Sequence, residues 1–160
     1  MMSETKGVVE EKKYKLGSIH TTSSLIMLLN FILLFMDLLL VQIWRTSVST
    51  WLTPELNTAI TWYIVSLCGP FCLYLLIYLL KMYFCCHGFT KLFSVSMILN
   101  CITWSVLMFI SSSYVATHLP DQNCNEKRCT HLRGAVICSY LIAIGMLMQA
   151  YTHYTEREYL

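Results

Sequence analysis

The sequence predicts an all-α integral membrane protein: a four-helix bundle with short loops and cytosolic termini. Hydrophobic residues make up 56% of the 160-residue chain and charged residues only 12%, whereas about 25% of an average soluble domain is charged. Four apolar runs, at 24–44, 59–80, 93–115 and 134–154, each have roughly the 20 residues that cross a hydrocarbon core of about 30 Å. None alternates polar and apolar residues as a transmembrane β-strand does.

The first run is expected to be an uncleaved span rather than a signal peptide. It follows a polar segment, residues 1–23, which we expect to be a solvated cytosolic tail. The run is longer than the apolar part of a signal peptide, and no small-residue cleavage site follows it.

Basic residues indicate the orientation of the four spans. Seven lie on the side of the termini, namely Lys6, Lys12, Lys13, Lys15, Lys81, Lys91 and Arg157, and four lie on the other side, namely Arg45, Lys127, Arg128 and Arg133. The positive-inside rule therefore predicts that both termini, including residues 155–160, are cytosolic. Trp44, Trp51 and Trp62 flank the first outer loop, as expected of an interfacial aromatic belt.

Asp37 is an acid inside the first span. Near the centre of a membrane helix an acid costs about 3 kcal/mol and is normally given partners, which makes it a functional candidate. At about 1.5 Å per residue, its depth is similar to that of Ser66 on the second span and of Ser139 and Tyr140 on the fourth. We expect these side chains to be its partners. The acid is interpreted either as a structural residue or as the titratable group of a transporter.

Three amide side chains predict a second polar layer nearer the cytosol. Asn30, Asn100 and Gln149 come from three different spans and lie about 8–10 Å from the inner boundary if the helices are antiparallel. Amides at one depth hydrogen-bond across helices, each bond contributing on the order of 1 kcal/mol. Asn30 and Asp37 are seven residues apart and therefore share one helix face. The layer indicates helix packing rather than catalysis.

Small residues predict where helix backbones approach closely. Ala135, Ser139 and Ala143 repeat every four residues in the fourth span, a pattern typical of closely packed membrane helices. In the second span Gly69 lacks a side chain, and Pro70 is expected to kink the helix. These residues predict either packing inside the bundle or a surface for oligomerisation.

Two cysteines of the second outer loop, Cys124 and Cys129, are predicted to form a disulfide. On the predicted topology the loop faces an oxidising compartment, where a disulfide closing a short hairpin is favoured. The alternative is a zinc site that adds His118 and His131; these ligand types suit zinc, but their spacing matches no zinc finger. We therefore predict no metal.

The remaining cysteines are interpreted from their positions. Cys85 and Cys86 lie in the cytosolic turn between the second and third spans, where cysteines close to the membrane are candidate palmitoylation sites. The four within spans are expected to be small apolar packing residues: Cys68, Cys72, Cys101 and Cys138.

Motifs of the common enzyme classes are absent from the sequence. It contains no His-x-x-x-His, no Gly-x-Ser-x-Gly, no phosphate-binding glycine loop and no Asp-rich diphosphate motif. A net charge of only +2 does not favour a nucleic-acid partner. We therefore expect a protein that is not an enzyme and uses no cofactor.

The second half of the chain resembles MARVEL-type four-span proteins, especially the fungal group of non-classical export and eisosome-organising proteins. The resemblance is carried by Asn100–Trp104 in the third span, by Cys124 and Cys129, and by Arg133–Val136 at the start of the fourth span. It extends over about 93–154, and over the first half it is topological.

This resemblance implies a membrane organiser that partitions membrane domains or assists vesicle traffic. The partners that it implies are membrane lipids, including sterol- or sphingolipid-rich environments, together with a homo-oligomer or another membrane protein. The expected location is the plasma membrane or the membranes of the secretory pathway. Two alternatives remain open: an accessory subunit of a larger membrane complex, and a transporter or channel component that uses Asp37.

Overall fold

The computed structural model describes the backbone of residues 2–47, 54–83, 91–118 and 126–159, and the side chains of 21–46, 54–79, 94–118, 130–155 and 157. Each backbone segment is one α-helix: α1 (Met2–Ser47), α2 (Pro54–Tyr83), α3 (Lys91–His118) and α4 (Glu126–Tyr159). Each helix contains a stretch long and apolar enough to cross a membrane: Thr21–Thr46, Pro54–Leu79, Ser94–His118 and Thr130–Thr155. The predicted all-α, four-span architecture is confirmed.

Two helices extend beyond the predicted spans. Helix α1 begins at Met2, so the segment expected to be a solvated tail is helical. Glu and Lys are good helix formers, and Glu11 and Lys15 have the four-residue spacing that supports a helix. Helix α4 begins at Glu126, eight residues before the predicted start at 134. No Gly or Pro interrupts residues 126–133, so the helix continues into the expected loop.

The four helices form a ring in chain order. Helix α1 packs on α2, α2 on α3 and α3 on α4, while α4 closes the ring against α1. Neighbours are antiparallel: along α1 and α4, for example, Asn30 contacts Gln149 whereas Asp37 contacts Ser139. Helix α4 takes part in the two most extensive helix pairs. Helices α2 and α4 therefore face each other across the bundle axis.

Buried positions follow a heptad pattern. Along α1 they alternate at intervals of four and three residues: Ser23, Met27, Asn30, Leu34, Asp37, Val41 and Trp44. Helix α2 has the same intervals: Leu56, Ile60, Tyr63, Leu67, Pro70, Tyr74 and Ile77. In α4 they are Leu132, Ala135, Ser139, Ile142, Met146, Gln149 and His153. This spacing is typical of helices that pack as a left-handed bundle with interlocking side chains.

The outer surface of the spans is apolar on all four helices, as in Leu25, Trp62, Leu99 and Ile137, which are all more than half exposed. A surface of this kind is suited to hydrocarbon, and the inner face differs in that it adds buried polar residues, such as Asn30, Asp37 and Gln149, to the apolar ones.

Some tryptophans and cysteines lie elsewhere than expected. Trp44 is buried in the core, so the prediction that it belongs to an interfacial belt is wrong. Trp62 is exposed, and Trp51 lies outside the described residues.

Cys68 and Cys72 are exposed rather than packed, because they fall between the heptad positions of α2. Of the span cysteines, only Cys101 is fully buried.

Candidate functional site

The Asp37 carboxyl group is the centre of a buried hydrogen-bonded cluster. The Tyr63 hydroxyl donates to Asp37 Oδ1 at 2.9 Å and also lies 3.1 Å from Oδ2. The Ser139 hydroxyl is hydrogen-bonded to Oδ2 at 2.6 Å, and the Tyr63 and Ser139 hydroxyls contact each other. All three side chains are 0% exposed. We call these three residues the outer polar layer.

The outer polar layer forms a closed ring of three hydrogen-bonded groups. A ring of three contacts needs three protons, and the hydroxyls of Tyr63 and Ser139 bring two. When Asp37 Oδ2 carries the third proton, it donates that proton to the Ser139 hydroxyl, Ser139 donates to the Tyr63 hydroxyl, and Tyr63 donates to Oδ1. An uncharged ring of this kind satisfies its polar atoms within the bundle, which a low-dielectric interior requires.

This layer connects three helices. Asp37 lies on α1, and Tyr63 reaches across the bundle axis from α2 to Ser139 on α4. The contact with Ser139 is the one predicted from depth. Ser66 and Tyr140, the other two expected partners, do not bond to the acid.

Those two residues make other contacts. The Ser66 hydroxyl bonds to the Tyr63 carbonyl at 2.7 Å and to the Ser111 hydroxyl at 2.8 Å, joining α2 to α3. The Tyr140 hydroxyl lies 3.0 Å from that of Ser113. Depth alone does not determine which way a side chain points around the helix axis, so residues at one level separate into different clusters.

Tyr63 was missed by the depth argument, because that argument compared backbone levels. A tyrosine places its hydroxyl far from its Cα and can reach a partner one turn away. Its sequence signal is the 11-residue interval to Tyr74, which places both tyrosines on one face of α2.

A second cluster, the inner polar layer, contains Asn30, Tyr74 and Gln149. Asn30 Nδ2 donates to Gln149 Oε1 at 3.2 Å, and the Tyr74 hydroxyl donates to the same oxygen at 2.6 Å. The same three helices meet here as in the outer layer. The structure thus brings Asn30 and Gln149 together as predicted. Asn100 is not part of the layer.

Asn100 makes a local contact instead. Its Nδ2 atom donates to the Ser96 carbonyl at 3.2 Å, one turn earlier on α3. A local bond of this kind is a common way for a polar side chain outside the core to satisfy its donor. The predicted contribution of Asn100 to the interhelical layer is therefore wrong.

The inner layer is packed closely against α4. A Cβ atom built on Gly145 would overlap Asn30 Oδ1 and lie 3.1 Å from Asn30 Cγ. Glycine is therefore required for the Asn30 amide to lie against the α4 backbone. Gln149 Nε2 is buried without a hydrogen-bond partner among the residues that the structure describes.

Replacing Tyr74 with phenylalanine is expected to lower the free energy of unfolding by about 1 kcal/mol, since hydrogen bonds between membrane helices contribute about 0.6 kcal/mol on average. Gln149 Oε1 keeps its bond from Asn30, which limits the loss. The measurement is SDS-induced unfolding of the detergent-solubilised protein. Tyr78→Phe is the matched control, because Tyr78 contacts Phe31 through its ring and its hydroxyl has no bond within the described spans. Equal losses in both variants would contradict the assignment.

The small residues predicted to mark close helix approach pack against other helices of the same bundle. Ala135, Ser139 and Ala143 are all buried inside the bundle, where Ser139 contacts α1 and α2. Gly69 lies directly against the Trp104 ring of α3, where any side chain would collide with it. Pro70 is buried within a helix that continues on both sides of it. Of the two alternatives, packing within the bundle is the one observed.

The cysteines of the two predicted loop sites cannot be placed. Cys85, Cys86 and Cys124 lie outside the described residues, and only the backbone of Cys129 is described. The disulfide, the alternative zinc site and palmitoylation therefore stay predictions.

A scan against protein-family models, a search of curated proteins and a search of solved structures found no match to this chain.

Proposed function

We propose that this chain is a non-enzymatic multi-pass membrane protein that organises membrane domains or assists vesicle traffic. In this proposal both termini are cytosolic, the protein resides in the plasma membrane or the secretory pathway, and membrane lipids are its main partners. The resemblance of residues 93–154 to MARVEL-type proteins points to the same role.

The observation that carries the proposal is that the intramembrane polar groups hydrogen-bond to one another inside the bundle. Both oxygens of Asp37 are hydrogen-bonded inside the bundle, and Asn30 and Tyr74 converge on Gln149. These groups hold three helices in one arrangement. The lipid-facing side is apolar on every helix. A bundle whose polar groups are mostly bonded inside it, and whose lipid-facing surface is mostly apolar, suits a protein that acts through its lipid environment.

An accessory subunit of a larger complex is the second candidate. It would require Asp37 to meet a basic residue of the partner. Asp37 is 0% exposed and already bonded to Tyr63 and Ser139, so a partner would reach it only by separating α1 from α4. The observed contacts therefore favour the organiser.

Purification in mild detergent, followed by crosslinking and mass spectrometry, tests the proposal. We expect monomers or homo-oligomers that carry bound lipid. A second membrane protein recovered at a fixed ratio would contradict the organiser and favour the subunit.

Asp37→Asn is the informative variant in the same experiment, because an amide resembles the uncharged acid. For an organiser we expect unchanged lipid recovery and unchanged localisation. Loss of a copurifying partner would indicate the subunit instead. Loss of a transport activity from a folded, correctly localised variant would indicate a transporter.

A further inference from the structure

The largely apolar outer surface of α3 is interrupted by the Asn100 amide. Asn100 is followed by the buried Cys101, so it lies about 100° around the helix from the core, and it is partly exposed. Its Nδ2 atom donates to the Ser96 carbonyl at 3.2 Å, and no other hydrogen bond of this side chain is seen among the described residues. A primary amide carries two N–H groups and an acceptor oxygen. One N–H and the Oδ1 atom of Asn100 therefore remain for a group outside the chain.

The depth of Asn100 places this amide away from water. Val106 is the middle residue of the span Ser94–His118, and six residues of helix separate Asn100 from it, which is about 9 Å. Asn100 then lies roughly 6 Å inside a hydrocarbon core of about 30 Å. Asparagine is too short to reach across that distance, and hydrocarbon offers no hydrogen bond.

Other exposed amides of the described spans do not have this problem. Gln42 and Asn57 each lie within four residues of a span end, where a polar side chain can extend to the interface. Asn100 is therefore the exposed amide that requires a second protein surface.

Asn100 belongs to a second heptad stripe on α3, separate from the buried positions that face the core. We call it the outward stripe; its members are spaced at intervals of four and three residues and are all exposed or partly exposed: Ser96, Asn100, Thr103, Leu107, Ile110 and Tyr114. This spacing lets two helices pack along their length. Ser96 and Thr103, on either side of Asn100, are small enough for two helices to approach closely.

A second copy of the chain supplies a matching group at the right depth. Two copies inserted in the same orientation are related by a two-fold axis along the membrane normal, so a residue next to that axis meets its own counterpart. Two Asn100 amides complement each other, because each can donate its remaining N–H to the Oδ1 atom of the other. No residue of the outward stripe is charged, so identical stripes do not repel each other.

We propose that two copies of this chain associate through the outward stripe of α3, with their Asn100 side chains hydrogen-bonded to each other at the two-fold axis. This inference rests on the proposed function in taking no second kind of membrane protein as the partner, and it adds the surface through which the copies meet. The outward face of α1, across the bundle from α3, stays in contact with lipid.

The test uses the full chain, labelled at the N-terminus with a donor or an acceptor fluorophore and reconstituted in phosphatidylcholine liposomes. Energy transfer over a series of protein-to-lipid ratios gives the dissociation constant of the dimer. Asn100→Leu removes the amide and should weaken the dimer about tenfold, ~1.4 kcal/mol for the two interhelical hydrogen bonds lost. Asn100→Gln keeps an amide and should restore most of the affinity.

Gln42→Leu is the matched control for the amide, because it removes an exposed amide from α1 and should leave the dissociation constant unchanged. Leu107→Trp and Ile102→Trp distinguish the two sides of α3. Both residues are 43% exposed, but only Leu107 belongs to the outward stripe. We expect Leu107→Trp to weaken the dimer and Ile102→Trp to leave it intact. Circular dichroism verifies that each variant is folded, and Leu107→Trp serves if Asn100→Leu is not.

Three results would overturn the inference: no energy transfer beyond chance proximity at any ratio, equal dissociation constants for the unchanged chain and Asn100→Leu, or equal weakening by Leu107→Trp and Ile102→Trp. If one occurs while lipid is still recovered without a protein partner, the surface is wrong and the proposed function stands. A second membrane protein recovered at a fixed ratio would contradict the function, whichever variant weakens the dimer.

Discussion

Replacing Gly145 with alanine is expected to lower the free energy of unfolding by about 2 kcal/mol, within the range usual for overpacked interiors. The added Cβ atom would overlap the Asn30 amide. That amide is 1% exposed and bonded to Gln149, so it can move away only by breaking the inner polar layer. The loss should be seen in SDS-induced unfolding followed by circular dichroism.

Gly134→Ala is the control on the same helix. The nearest atom to a Cβ there is Leu40 Cδ1 at 3.9 Å, which is an ordinary contact. We expect no loss, or a gain of up to about 1 kcal/mol, because alanine is the better helix former. If the two variants lost the same stability, the close approach of Asn30 to α4 would be refuted.

Replacing Asp37 with alanine is expected to be the most damaging change in the outer layer, at about 3 kcal/mol. It leaves a cavity and removes a hydrogen-bond partner of two buried hydroxyls, each of which costs about 1–3 kcal/mol when unsatisfied. Tyr63 and Ser139 can still bond to each other, which recovers part of the loss. The same unfolding measurement applies.

Asp37→Asn tests whether the Asp37 carboxyl group is uncharged or ionised in the ring. An amide offers an acceptor oxygen and an NH2 group in place of the C=O and O–H of the protonated acid, with one N–H more than the ring uses, so we expect a loss of about 1 kcal/mol. A double-mutant cycle with Tyr63→Phe measures the coupling between the two side chains. If Asn were as damaging as Ala, the acid would act in its charged form, and the ring described above would be wrong.

The number of helices and their approximate positions could be predicted because the thickness of a bilayer imposes a length on every apolar run. The rotation of each helix about its axis was harder to predict. The spans are apolar on all sides, so hydrophobicity alone does not reveal an inner face. Asn30 and Asp37 did reveal it for α1, since they are seven residues apart. On α3 a single amide, Asn100, gave the wrong face.

The contacts of Asp37 with Ser139 and of Asn30 with Gln149 were predicted, whereas those of the two tyrosines were not. Asp37 and Ser139 could be matched by depth, because neither reaches far from its backbone. Tyr63 and Tyr74 extend from α2 to the bundle axis and contact residues of α4 across it. Counting residues along the chain gives the depth of a Cα atom but not how far a tyrosine hydroxyl lies from it. The helical ends at Met2 and Glu126 were missed because hydropathy identifies the part of a helix inside the membrane and not the part beyond it.

The two polar layers together fix how α1, α2 and α4 are aligned along the bundle axis. Their members are 7 residues apart on α1 (Asn30, Asp37), 11 on α2 (Tyr63, Tyr74) and 10 on α4 (Ser139, Gln149). If α1 slid along its axis by seven residues so that Asn30 reached the level of Ser139, Asp37 would arrive beside Leu132 and lose its bonds to Tyr63 and Ser139. Because the three intervals differ, a shifted alignment that restores one set of bonds breaks the other.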